Sequence, residues 1–315
     1  MNTASAKVAS DKHRKKRYIM VNKVVGSIDK LWRFPVKSMG GEQLQEVELT
    51  ERGILGDRAY ALIDKDTGKV VSAKSVKLFP SILNCHAAFV EPPRLGSNIP
   101  PVQISLPDGT SVRSDSIEVD NVLSSYFKRN VTLEKKAPED FTIDQYHPDI
   151  EDADPEGNRN KVVAQKLGSA LFASLGIDSP VSIGAFFDVF PLSVLTTSTL
   201  ARLSELSPQT VFDERRFRMN IILNTTQLGF IENDWVDHTI GLGDQAQLEV
   251  TLLDPRCVMT TLAQADLPQD TDVLRTLIRH NRLQVGNLGL FPCAGVYATV
   301  LTSATLRVGD HVTLN

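Results

Sequence analysis

The C-terminal half of the chain is written in short runs that alternate apolar and polar residues, at 217–223, 246–253, 295–301 and 305–314, with Gly243-Asp244 and Gly309-Asp310 between them. A period of two puts every second side chain on one face of a strand, and Gly-Asp pairs supply the backbone freedom that tight turns require. Helical spacing at 198–206 and 272–281 fills the longer gaps, the second segment opening on acidic residues that suit a helix N-terminus. Short strands with helices in the crossovers predict a small β-barrel.

Residues 25–90 also carry strand and turn signals. Alternation marks Gly26 to Trp32 and Leu44 to Leu49, and 57–63 with 70–73 reads as a hairpin about Asp64-Lys65-Asp66-Thr67-Gly68. A second hairpin is expected at Pro107-Asp108-Gly109, and helical spacing at 119–128 places Val119, Val122 and Leu123 on one face. Residues 138–161 turn acidic and poor in aliphatics, which predicts a linker or exposed loop, and 162–175 is expected to be helical. The expected class is therefore α+β, mostly β: a flexible basic tail at 1–23, a mixed, mainly β domain at 24–137, the acidic linker, and the barrel domain at 162–315. A length of 315 residues suits two domains.

A net charge of −4 supplies no basic field for nucleic acid. The three cysteines, Cys85, Cys257 and Cys293, form no C-x-x-C pair, which argues against a disulfide framework, a zinc knuckle or an iron–sulfur cluster and fits a reducing, intracellular setting. No apolar stretch is long enough for a signal peptide or membrane span. The expected location is the cytoplasm, with mitochondrial association as the alternative; the Lys12–Arg17 cluster reads as an address or a solvated tail.

Chemistry concentrates first at Cys257, in Asp254-Pro255-Arg256-Cys257-Val258-Met259-Thr260-Thr261. A thiol leaving a strand beside Arg256 is either a small buried hydrophobe or a thiolate held by the neighbouring charge, ready to ligate a soft metal. Four further segments gather cations or hydroxyls. Lys37 and Ser38 precede Gly40-Gly41, an ordinary turn or a loop that brings a cation and backbone N–H groups to an anion. Arg58 follows Gly56-Asp57 and can grip an oxyanion or pair with Asp57; Lys74 closes that stretch. Thr197 and Ser198 end a hydroxyl run from Ser193, suited to an N-cap or to phosphate at a helix N-terminus. Alternation from Glu214 to Ile222 places Arg216, Arg218 and Asn220 on one strand face, toward solvent or a polar partner. Paired metal-ligating histidines, Walker and dinucleotide loops and the G-x-S-x-G elbow are absent.

Pro35-Val36-Lys37-Ser38, Gly56-Asp57-Arg58, Phe190-Pro191-Leu192-Ser193, Phe217-Arg218-Met219-Asn220, Asp234-Trp235-Val236 and Arg256-Cys257-Val258-Met259-Thr260-Thr261 occur in this order. In that order the chain resembles MOSC-domain proteins, in particular those with an N-terminal MOSC β-barrel-like domain, such as the mitochondrial amidoxime-reducing components. The resemblance implies a molybdenum cofactor, a metal held by molybdopterin, with Cys257 as protein ligand to the metal and catalytic residue. It implies cofactor contacts from Lys37, Ser38, Arg58, Lys74, Thr197, Ser198, Arg218, Asn220 and Arg256. Met219 stands where such proteins commonly have proline, and Lys74 where arginine is frequent.

The implied activity is reduction of small N-oxygenated, amidoxime-like substrates, with electrons from a separate haem or flavin protein, since the ferredoxin cysteines of some relatives are missing. The alternative is a cofactor carrier or sulfur-handling protein using a Cys257 persulfide. Pyridoxal phosphate belongs to that wider superfamily through a desulfurase domain that this sequence lacks.

Overall fold

A computed structural model describes residues 23–315, so the basic cluster at 12–17 lies outside the described residues. Seven strands close into a barrel in the order Leu192–Thr196, Ile221–Thr225, Lys23–Arg33, His311–Leu314, Thr239–Leu242, Ala246–Pro255 and Leu290–Thr302, the last pairing back onto the first. Every pairing is antiparallel except that of Leu192–Thr196 with Ile221–Thr225. Closure leaves no barrel edge unpaired, and inward residues such as Ile28, Leu31, Val194, Leu223, Ile240, Leu248, Val296 and Val312 fill the interior. At least three helices lie outside the barrel: α1 (Val119–Phe127), α3 (Thr197–Leu206) and α4 (Asp272–His280), with α2 (Gly168–Leu175) between the first two in sequence. The mostly β, barrel-plus-helix class expected from the sequence is the observed one.

The N-terminal unit packs around Val36, Met39, Tyr60, Leu62, Ile82, Ile104, Leu123 and Val131. The hairpin about Pro107-Asp108-Gly109 joins Val102–Ser105 to Ser111–Arg113. Helix α1 stops where Lys128 turns left-handed, at φ 52°.

Five expectations need correction. The earlier hairpin is reduced to one antiparallel bridge, Ile63 to Val70, because Ala61–Asp64 spends its ladder on Val131–Glu134. The acidic stretch is no structureless linker: Thr142–His147 pairs with Lys161–Lys166, and its few apolar residues, Phe141 and Ile143, alternate into a core with Leu167, Ala170 and Phe186. The helix expected over 162–175 begins only at Gly168, since β-branched Val162 and Val163 extend the strand and Gly168 breaks it at φ 54°. The strand expected at 217–223 starts at Ile221. Glu214–Arg216 is a 3-10 turn, Arg218 is left-handed at φ 56°, and so Arg216, Arg218 and Asn220 share no strand face. Lys23–Arg33 also crosses the expected domain boundary, because the first described strand is a stave of the C-terminal barrel.

Candidate functional site

The expected site residues meet in a cleft where the N-terminal unit abuts the barrel. Lys37, Ser38, Arg58 and Lys74 line it from one side, and Ser193, Arg218, Asn220, Arg256 and Cys257 from the other. The backbone is strained where it carries these groups. Ser38, Arg58 and Arg218 all sit at positive φ, at 67°, 48° and 56°, a conformation that side chains resist and that concentrates at functional sites.

Cys257 follows the Ala246–Pro255 strand in extended conformation and caps a 3-10 turn at Val258–Thr261, its carbonyl accepting from the Thr260 hydroxyl at 3.0 Å. It is half-buried, whereas Cys85 and Cys293 are buried, and burial pushes both of those thiols up to about 12. Only Cys257 among the three reaches the cleft. Arg256 beside it is buried, pairs with Asp254 and donates to the Phe217 carbonyl, while its Nε has no partner among the described residues. Burial holds the Asp254 carboxyl above its ordinary range despite Arg256. Burial, and then the Asp254 charge, keeps the Tyr297 hydroxyl well above the usual phenol range, so its proton stays in place.

Across the cleft, one carboxylate organises the N-terminal arginine. Asp57 accepts from the Phe34 N–H at 2.7 Å and from Asn220 Nδ2 at 2.8 Å, and pairs with Arg58. The Ser193 hydroxyl completes the arrangement by donating to Asn220 Oδ1 at 3.1 Å. Arg58 donates to the Arg218 carbonyl at 3.2 Å, and both guanidiniums lie over the Phe34 ring, 4.6 Å and 4.3 Å from its centroid. Arg218 is 7% exposed and donates to the Met39 carbonyl at 2.8 Å, yet no carboxylate among the described residues lies within ion-pair distance of it. Burial, with Arg58 adding repulsion, lowers its pKa to about 9.

The lysines converge on Asp188: Lys37 pairs with it, and Lys74 reaches its second oxygen at 2.8 Å. Burial lowers Lys37 to about 8 even with that partner. Lys74 is held above its ordinary value because Asp188, then Cys257 and Asp254, outweigh its burial. Five cations thus face three carboxylates, Asp57, Asp188 and Asp254, and the surplus of positive charge beside a thiol suits an anionic ligand with a soft atom.

Thr197 and Ser198 do not join the cleft. They start α3 at the far end of the Leu192–Thr196 strand, roughly 13 Å beyond Ser193 at strand rise. Ser198 meets the Thr225 hydroxyl at 2.8 Å, Thr197 reaches Asn224 at 3.5 Å, and Thr196 is the residue that caps the helix. From that hydroxyl run it is Ser193 that lines the site. Sequence reasoning also passed over Asp188, although a single carboxylate set among Phe186, Phe187 and Phe190 needs a cation wherever the aromatics are buried.

The sequence profile of the MOSC N-terminal beta barrel domain matches residues 25–120, and that of the MOSC domain matches residues 184–313. The chain is 25% identical to human mitochondrial amidoxime reducing component 2 over 307 residues, covering 91% of this chain and 83% of the relative. Human mitochondrial amidoxime-reducing component 1 is 22% identical over 316 residues, with 92% and 83% covered. Among solved structures, the YUAD protein from Bacillus subtilis aligns over 93% of this chain and 98% of its own, at 9% identity and a TM-score of 0.42.

Proposed function

Because the chain belongs to the MOSC family, with the MOSC N-terminal beta barrel domain followed by the MOSC domain, we propose that it is a molybdenum-cofactor-dependent oxidoreductase that reduces small N-oxygenated compounds. The observation that carries this reading is the meeting of the half-buried Cys257 thiol with a surplus of cations in one cleft, Lys37, Arg218 and Arg256 among them buried. The residues fit the group. Among the described residues Arg218 is a buried cation without a carboxylate at ion-pair distance and Arg256 Nε a buried donor without an acceptor; an anionic ligand answers both needs.

In this reading the Cys257 thiolate is the protein's ligand to molybdenum, and Arg256, fixed by Asp254, sets the charge next to it. Lys37, Ser38, Arg58, Lys74, Arg218 and Asn220 hold the anionic body of the cofactor, with Asp57 orienting Arg58 and Asn220. When bound, the cofactor supplies two-electron reduction with removal of an oxygen atom. Converting an N-hydroxyl group to N–H with release of water consumes two electrons and two protons, the electrons coming from a separate haem or flavin protein. Protons are held within the cleft by the Lys37 ammonium and the Tyr297 hydroxyl.

The relatives named as amidoxime reducing components support the substrate class. No helix among the described residues is long and apolar enough to cross a membrane. The test is to measure molybdenum per chain in native protein, then supply an artificial reductant and a benzamidoxime-type substrate. Stoichiometric molybdenum without turnover refutes the reductase, and a persulfide found on Cys257 by mass spectrometry moves the reading to sulfur carriage.

A further inference from the structure

We propose that Asp188 is a positioning residue that keeps Lys37 and Lys74 charged and aimed into the cleft, so that this one carboxylate decides how strongly the N-terminal wall holds an anionic ligand. The inference rests on the functional reading above for the identity of that ligand, but its physical basis is local.

Three chain segments that share no secondary structure meet at this carboxylate. Lys37 comes from the loop after the first barrel strand, Lys74 from the segment that continues from Ser72, and Asp188 from the approach to the Leu192–Thr196 strand. The Asp188 backbone is itself fixed, because its carbonyl accepts from the Gly168 N–H at the start of α2 at 2.7 Å. Lys37 is further tied by donation to the Phe186 carbonyl at 2.9 Å, and its ammonium stands 5.0 Å from the centroid of the Phe141 ring. The charged groups that act on Lys37 are Asp188, Lys74 and Arg58. Two of those three are cations, so without the carboxylate the buried ammonium has only the Phe186 carbonyl and the Phe141 ring to set against repulsion and desolvation, and it sheds its proton near neutrality.

One carboxylate shared by two lysines also leaves a net positive charge where the ligand must bind. An aspartate serves here because its short side chain spans both ammonium groups while its backbone stays docked on α2. Asp188 touches neither reacting atom nor metal ligand in this scheme; it acts through the lysines.

The experiment follows the Lys37 side chain by NMR in full-length protein labelled at lysine, its resonance assigned by its loss in Lys37→Arg. Wild type is expected to titrate at about 8. Asp188→Asn moves the midpoint down by about one pH unit or more, equivalent to roughly tenfold in the charged-to-neutral ratio, while Asp188→Glu restores it. Lys74→Met moves the midpoint up, since the carboxylate is then no longer shared, and this variant decides the matter should Asp188→Asn fail to fold. In parallel, molybdenum retained per chain after desalting falls about tenfold in Asp188→Asn at the slightly alkaline pH where Lys37 is neutral and recovers in mild acid. An unmoved Lys37 midpoint in Asp188→Asn, or a downward shift in Lys74→Met, overturns the proposal. Absence of molybdenum from wild type refutes the cofactor reading, and the lysine titration still decides the role of Asp188.

Discussion

Replacing Arg218 by methionine should stabilise the cofactor-free protein while it weakens cofactor binding. The fold leaves this residue only 7% exposed, and its pKa falls to about 9 from the ordinary 12.5. Keeping it charged at neutral pH therefore costs about 5 kcal/mol. Methionine can keep contact with the Phe34 ring but cannot donate to the Met39 carbonyl, which gives back about 2 kcal/mol. The net gain is about 2–3 kcal/mol, or roughly 5 °C in Tm for a chain of this size.

The pH dependence has a definite sign. A base whose folded pKa lies below its unfolded one destabilises the fold fully below the folded value, and the penalty fades as pH rises from about 9 toward 12.5. Thermal unfolding of cofactor-stripped wild type and Arg218→Met should therefore show the variant ahead at neutral pH and the gap closing above about 9. Cofactor retention should fall by about tenfold or more with loss of one charge-assisted contact. A variant that is less stable than wild type at neutral pH, or one that keeps its cofactor, refutes the reasoning that Arg218 is an unpaired charge awaiting an anion.

Cys257→Ser should keep its stability within about 1 kcal/mol of wild type, because the half-buried thiol packs little, and lose activity and most of the metal because a hydroxyl is a poor soft-metal ligand; activity assay with metal analysis checks both. Asp57→Asn should cost about 3 kcal/mol in urea unfolding, since it strips the charge partner of Arg58 and disturbs the bonds to Phe34 and Asn220. Glu232 is fully buried, burial raises its carboxyl pKa, and Oε2 accepts from Thr196 at 2.6 Å. An acid whose folded pKa is raised stabilises the fold below its unfolded pKa and loses that contribution as pH climbs through the folded value. Glu232→Gln should therefore raise Tm more at alkaline than at acid pH, each pH unit that separates the folded from the unfolded titration being worth about 1.4 kcal/mol.

Much of the barrel was legible because alternation and Gly-Asp turns are local signals: Ala246–Pro255 and the turn at Gly309-Asp310 lie where the pattern puts them. What misled was equally physical. Around Arg218 the alternation is real, but the backbone leaves the extended region at φ 56°, and no periodicity reports a left-handed residue other than glycine. The acidic tract hid a strand pair because its contribution to the core it shares with Leu167 and Phe186 rests on only Phe141 and Ile143, too few to lift its mean hydropathy. At the cleft, the cations and the Asp57–Arg58 pairing announced themselves through motif order, whereas the carboxylate Asp188 became visible only once the fold set it against two lysines. Thr197 and Ser198 were drawn in by adjacency to Ser193, and the end of one strand separates them.

The stave formed by Lys23–Arg33 has partners at Ile221–Thr225 and His311–Leu314, both of which are synthesised long after it. At about 5–20 residues per second, that nascent segment waits on the order of ten seconds or more for its neighbours, with unsatisfied peptide groups along its flanks. Chaperone protection of early translation products should therefore govern yield of this polypeptide more than its final stability does.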